Sequence, residues 1–204
     1  IPEEFYPTCF VEQKTVEFLN SIKKQSKPFI SFVSFPDPHH PFTPPGKYWG
    51  MYNPEDFDVN LEYNSHKNPI EPMKKVRQMY LDGLEPELKT TVFMAEKRQI
   101  QESMALTAGM ITMIDDAIGN IISSLEKNDL YEDTVVIFTS DHGDYLGDFS
   151  LMLKGALPFN SITNVPFIWS DPLIRKAKNS NALSSTIDIA PTILNRANVK
   201  PYWG

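Results

Sequence analysis

The sequence predicts an α/β fold in which helices flank a largely parallel central sheet. Two short apolar runs, residues 29–35 and 135–138, have the character of strands that are buried on both faces. Residues 11–25 and 95–127 instead repeat their apolar side chains at the three- and four-residue steps of a helix. Strands and helices that alternate in this way are typical of a parallel sheet covered by helices.

Composition narrows the class of protein. The 204 residues carry a formal net charge of −7, which argues against nucleic-acid binding. No apolar run approaches the ~20 residues that span a bilayer, so we expect a soluble protein without a membrane span. The single cysteine, Cys9, allows neither an internal disulfide nor a cysteine-based metal cluster. The sequence starts at Ile1 rather than Met, so we expect both true termini to lie beyond it, which leaves the cellular compartment open.

The first apolar run leads into a loop that carries two histidines. An amphipathic helix over 11–25 precedes the strand predicted over 29–35. That strand runs directly into residues 36–45, where His39 and His40 stand among five prolines. Prolines fix φ and reduce the freedom of the unfolded loop, so the loop should hold its side chains in defined positions. The alternative is a stiff surface connector without a function.

The middle of the chain consists of a long loop and a long helix. Residues 44–92 show little periodicity, and we expect a long excursion over the sheet with short helical turns, of a kind that is often functional. The helical pattern of residues 95–127 is the strongest in the chain, and its methionines are expected in the core. Asp115 and Asp116 interrupt it, but neighbours on a helix point about 100° apart and cannot serve one site. We therefore expect structural or solvated roles for both.

The second apolar run ends in a cluster of small and ionisable residues. Asp141 and His142 follow the strand predicted over 135–138, and ligands of α/β sheets lie at the carboxyl ends of parallel strands. A carboxylate beside an imidazole offers oxygen and nitrogen donors to one divalent cation. Gly143 would let the chain turn away while both side chains face the same crevice. The alternative is that Asp141 caps the strand and His142 stands in a turn.

The last third of the chain adds a candidate cationic side chain and three more elements. Residues 145–155 are expected to form a loop that folds back over the strand end. Lys154 lies in this loop, either as an ordinary surface lysine or as a partner for an anionic substrate. We expect strands over 165–169 and 182–187, and a helix that begins at 188–194.

Six short motifs stand in order along this chain, and together they carry a resemblance. Two of them are a predicted strand followed by a motif: strand and P-H-x-P together over 29–41, and strand and S-D-H-G-D-x-L-G together over 135–147. The other four are I-D-x-x-I-G at 114–119, K-G at 154–155, V-P-x-I at 165–168 and D-I-A-P-T-I-L at 188–194. Each motif alone is weak, but six in order are specific. With them the sequence resembles the sulfatase family, within the alkaline phosphatase-like superfamily.

The resemblance implies a hydrolase of sulfate esters that works with a divalent metal, usually calcium, with manganese or magnesium as alternatives. By motif position, Asp141 and His142 look like the metal ligands. His39 looks like the residue that contacts the sulfate or protonates the leaving oxygen, and Lys154 looks like the lysine that neutralises the sulfuryl group. His40 falls at the variable position, which implies a lesser role in substrate binding. The expected partner is a small-molecule or carbohydrate sulfate ester; the motifs say nothing of oligomeric state.

The departures from the family pattern define the expected domain. The family nucleophile is a formylglycine made from the cysteine of a C-x-P-S-R motif, and the surroundings of Cys9 do not match it. The family's paired amino-terminal aspartates are also missing, and Asp115 with Asp116 cannot replace them. We therefore expect residues 1–204 to be the carboxyl-side portion of a sulfatase-like catalytic domain, inactive alone, with the formylglycine in an upstream part.

Two other functions stay open at this point. The Asp-His pair at 141–142 is nearer to the phosphonate monoester hydrolase branch and some bacterial sulfatases, so a phosphonate monoester or phosphodiester hydrolase is one alternative. The other is a non-catalytic binding module that keeps the fold.

Overall fold

The computed structural model describes residues 2–23, 27–84, 92–174 and 176–200. Five helices and four short strands form in these ranges, joined by single 3₁₀ turns. In chain order they are α1 (Pro7–Ile22), α2 (Glu71–Leu81), β1 (Phe93–Met94), α3 (Lys97–Lys127), β2 (Val136–Thr139), β3 (Leu151–Met152), α4 (Asn160–Thr163), β4 (Phe167–Ser170) and α5 (Ile189–Arg196).

Helices α1 and α3 pack along one another and form the scaffold of the chain. α1 begins at Pro7, where the missing N–H of proline costs no helical hydrogen bond. α3 begins with a capping box, in which the side chains of Glu96 and Gln99 each accept a backbone N–H. Leu19 of α1 packs against Leu125 of α3 in a buried cluster. Periodicity predicts both helices, and both are confirmed; residues 24 and 25 of the first prediction lie outside the described residues.

Helix α3 is also the one helix of the described residues that could cross a membrane by length and composition alone. Core helices of soluble proteins satisfy the same two criteria. In this structure the buried face of α3 includes Ile100, Met110 and Met113, which are at most 2% exposed. The methionines of this helix therefore fill the core, as predicted.

The sheets differ from the largely parallel sheet that the sequence predicts. β2 pairs with β4 in antiparallel register, with Val136 opposite Ser170 and Thr139 opposite Phe167. β1 and β3 form a second antiparallel pair. Both ladders of the described residues are antiparallel, so the strands at 136–139 and 167–170 are confirmed but their parallel arrangement is not.

The prediction that residues 29–35 form a buried strand is wrong. The segment has no regular secondary structure and forms no ladder with any described residue. Ile30 and Phe32 are 80% and 94% exposed, and Phe138 in β2 is 38% exposed, so neither apolar run is interior. A strand forms only when its backbone N–H and C=O groups find partners on a neighbouring strand. The apolar pattern of residues 29–35 does not determine whether such a neighbour is present.

The excursion predicted over 44–92 contains more regular structure than expected. Besides the turns Gly46–Tyr48, Pro54–Asp56 and Tyr63–Ser65, it contains α2. Residues 85–91 of this excursion lie outside the described residues. Met73 of α2 is fully buried and joins the core cluster under the candidate site.

The carboxyl-terminal elements agree in part with expectation. The strand predicted over 182–187 is wrong, because these residues run as irregular chain into the 3₁₀ turn Thr186–Asp188. The helix predicted at 188–194 is confirmed as α5, which Ser185 precedes in a second capping box. Arg196 of α5 donates to Asp171, just after β4, with Nη2 2.9 Å from Oδ1. This ion pair ties α5 to the β2–β4 ladder.

Candidate functional site

Asp141 and His142 follow β2 directly and are held by hydrogen bonds around their own turn. The Asp141 carboxylate accepts the His142 backbone N–H at 2.8 Å, and its Oδ2 lies 3.5 Å from His142 Nε2. Burial raises the pKa of Asp141, but the His142 amide and the His142 charge outweigh this effect and hold it below its usual value. Asp141 is therefore an ionised carboxylate, with its side chain 83% exposed.

The tautomer of His142 suits a ligand at its outer nitrogen. His142 Nδ1 lies 2.8 Å from the Gly143 carbonyl oxygen, which can only accept, so Nδ1 carries the proton. In the neutral ring the lone pair is then on Nε2, the nitrogen that faces Asp141. A hydrogen bond on the other ring nitrogen is the usual way in which proteins orient a metal-binding histidine.

Gly143 lets the turn approach α4 closely. Its N–H donates to the Ile162 carbonyl at 2.9 Å, and a Cβ at Gly143 would lie only 1.8 Å from the Ser161 carbonyl oxygen. The position therefore needs glycine for space rather than for a special φ. α4 thereby fixes the turn that carries Asp141 and His142.

His39 and His40 lie side by side in the proline-rich loop. Their rings stack with centroids 4.1 Å apart, and His39 Nδ1 lies 2.6 Å from the His40 carbonyl oxygen. His39 Nδ1 thus carries a proton, and Nε2 is the nitrogen left to exchange one with a ligand. His40 Nδ1 is buried and has no hydrogen-bond partner in the described part of the chain.

Asp144 feels the charges of three candidate site residues, one from the proline-rich loop and two from residues 142–154. Burial raises the pKa of this half-buried carboxyl, although the Leu146 amide and the charges of Lys154, His142 and His39 all act to lower it. Burial also lowers the pKa of His40, and the charges of His39 and Lys154 lower it further. The electrostatic influence therefore extends across the chain, because His39 and His40 precede the other three residues by more than 100 positions.

Lys154 lies in residues 145–155, which fold back on themselves; that this loop also covers the end of the strand stays a prediction. The Tyr145 N–H donates to the Leu153 carbonyl and the Gly147 N–H to the Leu151 carbonyl, both at 2.8 Å. Leu146, Phe149, Ser150 and Leu153 all have positive φ. Non-glycine residues adopt this conformation at a cost, which the surrounding contacts must offset, and such segments concentrate at functional sites.

The donor set fits part of a divalent cation site. Calcium binds oxygen ligands at 2.3–2.6 Å, so two donors 3.5 Å apart, such as Asp141 Oδ2 and His142 Nε2, can share one ion. The described residues contain no group of three or more histidine, cysteine, aspartate or glutamate side chains that could hold a metal. Asp141 and His142 would therefore bind a cation together with ligands from elsewhere.

The other titratable candidates have structural surroundings. Burial raises the pKa of Cys9, and Glu12, Glu3 and Asp37 raise it further, so its reactive thiolate is disfavoured. Asp116 accepts hydrogen bonds from Tyr48 Oη at 2.7 Å and Lys47 Nζ at 3.1 Å, which lower its pKa. Asp116 thus links α3 to the loop after residue 45, in the structural role that we predicted.

The sequence singles out His39, His40, Asp141, His142 and Lys154. In the structure the rings of His39 and His40 stack, Asp141 lies beside His142, and the charges of His39 and Lys154 act on His40. Asp144 was not singled out, although it stands in the same polar run as Asp141. The run itself was the available signal, but periodicity could not show that Asp144 turns inward while Asp141 stays exposed.

Comparisons with known proteins point to one family. A family model described as Sulfatase matches residues 3–199. An arylsulfatase from Clostridium perfringens (strain 13 / Type A) is 30% identical over 202 residues, which are 97% of this chain and 39% of that protein. An N-acetylglucosamine-6-sulfatase from Bos taurus is 26% identical over 200 residues, 94% of this chain and 32% of that protein.

A solved structure supports the fold. The phosphonate monoester hydrolase SpPMH from Silicibacter pomeroyi matches with a TM-score of 0.79 at 23% identity, over 98% of this chain and 39% of that one. This likeness confirms the predicted fold class. The chain spans 39% or less of the length of each of these three proteins.

Proposed function

The chain belongs to the sulfatase family, and from this membership we propose that the polypeptide containing it hydrolyses sulfate monoesters with the help of a divalent cation. The observation that supports the proposal most directly is that the charges of His39, His142 and Lys154 all act on the Asp144 carboxyl. An imidazole, an ammonium group and a cation-binding pair are the groups that sulfuryl transfer requires at one place.

Each residue has a proposed role in this reaction. Asp141 and His142 would hold the cation, with calcium as the proposed ion and manganese or magnesium as alternatives. The cation would stabilise charge on the sulfuryl oxygens. Lys154 would place its ammonium group against the same oxygens. His39 would protonate the leaving oxygen through Nε2, because its Nδ1 is already bonded to the His40 carbonyl.

The nucleophile and the substrate come into the proposal from the family and its members. The C-x-P-S-R motif that yields formylglycine is absent from the 204 residues, so another part of the polypeptide would supply it. His40, which is half-buried, would have a lesser role in contacting the substrate. A carbohydrate sulfate is the proposed substrate class, since one relative is an N-acetylglucosamine-6-sulfatase.

A second candidate function is the hydrolysis of phosphonate monoesters or phosphodiesters. It is favoured by the TM-score of 0.79 with a phosphonate monoester hydrolase, together with the Asp-His pair at 141–142. Both reactions transfer a tetrahedral anionic group, so the same residues would serve either. A non-catalytic binding module is the third candidate, and it requires no nucleophile.

Rate assays on two proteins test the proposal. The 204-residue chain alone should not turn over aryl sulfates or phosphonate monoesters, and this should hold for Cys9→Ser as well. The complete polypeptide should hydrolyse one class, once mass spectrometry shows that its upstream cysteine is converted. In it, Lys154→Ala and His39→Ala should each lower the rate by on the order of 10²–10⁴.

A lysine outside the site provides the control. Lys75 lies exposed on α2, so Lys75→Ala should keep the wild-type rate. Equal losses for Lys75→Ala and Lys154→Ala would contradict the role of Lys154. Turnover by the 204-residue chain that persists in Cys9→Ser would contradict the need for an upstream nucleophile.

A further inference from the structure

Two hydroxyl groups from the start of α1 meet on one carboxylate just before His39. Tyr6 Oη donates to Asp37 Oδ1 at 3.2 Å, and Thr8 Oγ1 donates to Asp37 Oδ2. The donors lie 31 and 29 positions before the acceptor in sequence. Because each carboxylate oxygen receives its own donor, the plane of the carboxylate is fixed as well as its position.

Both donors are buried and rigidly held. Thr8 is 0% exposed and Tyr6 is 6% exposed. Tyr6 packs in a cluster with Tyr48 and with Met113 of α3. Buried hydroxyls need partners, and these two find theirs in a different segment of the chain rather than in their own helix. The α1–α3 scaffold therefore reaches the histidine loop through two directional bonds.

Asp37 is also the point at which the loop is anchored. Residues 29–35 before it have no strand partner among the described residues. Directly after it, the His39 N–H donates to the Pro36 carbonyl at 3.2 Å, which closes a turn around Asp37. A displaced Asp37 would therefore carry His39 with it.

We propose that Tyr6, Thr8 and Asp37 form a clamp that sets the position of the His39–His40 loop, and that Tyr6 and Thr8 are positioning residues for the proton transfer at His39. The catalytic part of this inference rests on the proposed function. Apolar side chains would secure the loop without partly removing a carboxylate from water, at a lower desolvation cost. Directional bonds to both oxygens serve orientation, which proton transfer requires.

Three variants of the complete polypeptide test the clamp. Thr8→Val removes the hydroxyl at nearly constant shape, and Thr8→Ser keeps it. Thr15→Val is the matched control, because Thr15 is a buried threonine of the same helix whose hydroxyl donates to the Val11 carbonyl at 2.7 Å. Each variant is assayed on a nitrophenyl sulfate and on an alkyl sulfate. The nitrophenolate leaving group needs little protonation, whereas the alkoxide leaving group must be protonated.

The expected result depends on the leaving group. Thr8→Val should lower kcat on the alkyl ester by about 10- to 100-fold, and by less than about threefold on the nitrophenyl ester, with little change in KM. Thr8→Ser should restore most of the loss, and Thr15→Val should match wild type on both. Equal losses of kcat on the two esters, or no loss on the alkyl ester, would overturn the clamp. Should Thr8→Val fail to fold, Tyr6→Phe is judged by the same comparison.

Imidazole NMR separates failure of the clamp from failure of the proposed function. The ring signals of His39 and His40 should move in Thr8→Val and stay in place in Thr15→Val, whether or not any ester is hydrolysed. A polypeptide without activity on sulfates or phosphonates would refute the proposed function alone. Unmoved His39 signals in a folded Thr8→Val protein would refute the clamp.

Discussion

Tyr145→Phe should destabilise the chain strongly for the loss of one oxygen atom. Tyr145 is 1% exposed, and its hydroxyl bonds to both backbone groups of Leu157. It donates to the Leu157 carbonyl and accepts from the Leu157 N–H, each at 3.0 Å. Leu157 is itself 7% exposed, so water has little access to the two backbone groups. The substitution would leave both without a partner.

The magnitude follows from these two bonds. An unsatisfied buried polar group costs about 1–3 kcal/mol, so two groups with partial relaxation amount to about 3 kcal/mol. For a chain of this length, each kcal/mol shifts the melting temperature by roughly 2–4 °C. Tyr145→Phe should therefore melt about 6–12 °C below wild type.

Thermal unfolding followed by circular dichroism measures the difference, with Tyr52→Phe as the matched control. Tyr52 is 39% exposed and its hydroxyl lies 2.7 Å from Thr112 Oγ1, a bond that water can replace. Its loss should lower the melting temperature by less than about 2 °C. Equal shifts for the two variants would show that the Leu157 groups find other partners, and the reasoning would fail.

Three other outcomes concern acid stability, backbone space and metal binding. The Arg196 guanidinium, together with the Leu173 amide, lowers the pKa of Asp171. Stability from this pair is complete above the unfolded pKa of about 3.9, starts to be lost below it and is fully lost only below the much lower folded-state pKa, so urea unfolding between about pH 2 and 6 should show a smaller acid loss for Asp171→Asn. Gly143→Ala should lower the free energy of unfolding by about 1–3 kcal/mol, because the new Cβ meets a backbone oxygen; a neutral effect in urea titration would contradict the close approach to α4. Calorimetry of the isolated chain with calcium should give a Kd on the order of 10⁻³ M or weaker, and tight binding that survives Asp141→Ala would contradict the proposed site.

The parts of the fold that the sequence predicts well depend on local pattern. α1 and α3 repeat apolar side chains over four or more turns, although α1 begins at Pro7, four residues before the predicted start. β2 and β4 also appear where short apolar runs predict them. Residues 29–35 have an equally apolar pattern, but pairing depends on a distant backbone that the pattern does not contain.

The same distinction applies to the candidate site: local motifs can be predicted from the sequence, and long-range contacts cannot. His39, Asp141, His142 and Lys154 stand out because they follow apolar runs or lie within short motifs. The effect of His39, His142 and Lys154 on the Asp144 carboxyl depends on how distant segments fold together, which no periodicity encodes. Hydrogen bonds across 29 or 31 residues, such as those to Asp37, are equally invisible in sequence.

Residues 29–35, which have no strand partner among the described residues, affect the order in which parts of the site unfold. Their amides lack ladder hydrogen bonds to the described residues, whereas Asp141 and His142 follow a strand bonded to β4. Local opening costs least where backbone bonds and buried contacts are fewest. Thermal fluctuation should therefore release the histidine loop while α1, α3 and the β2–β4 ladder remain folded. Hydrogen exchange would record two cooperative units, with the His39–His40 loop opening before the turn that carries Asp141 and His142.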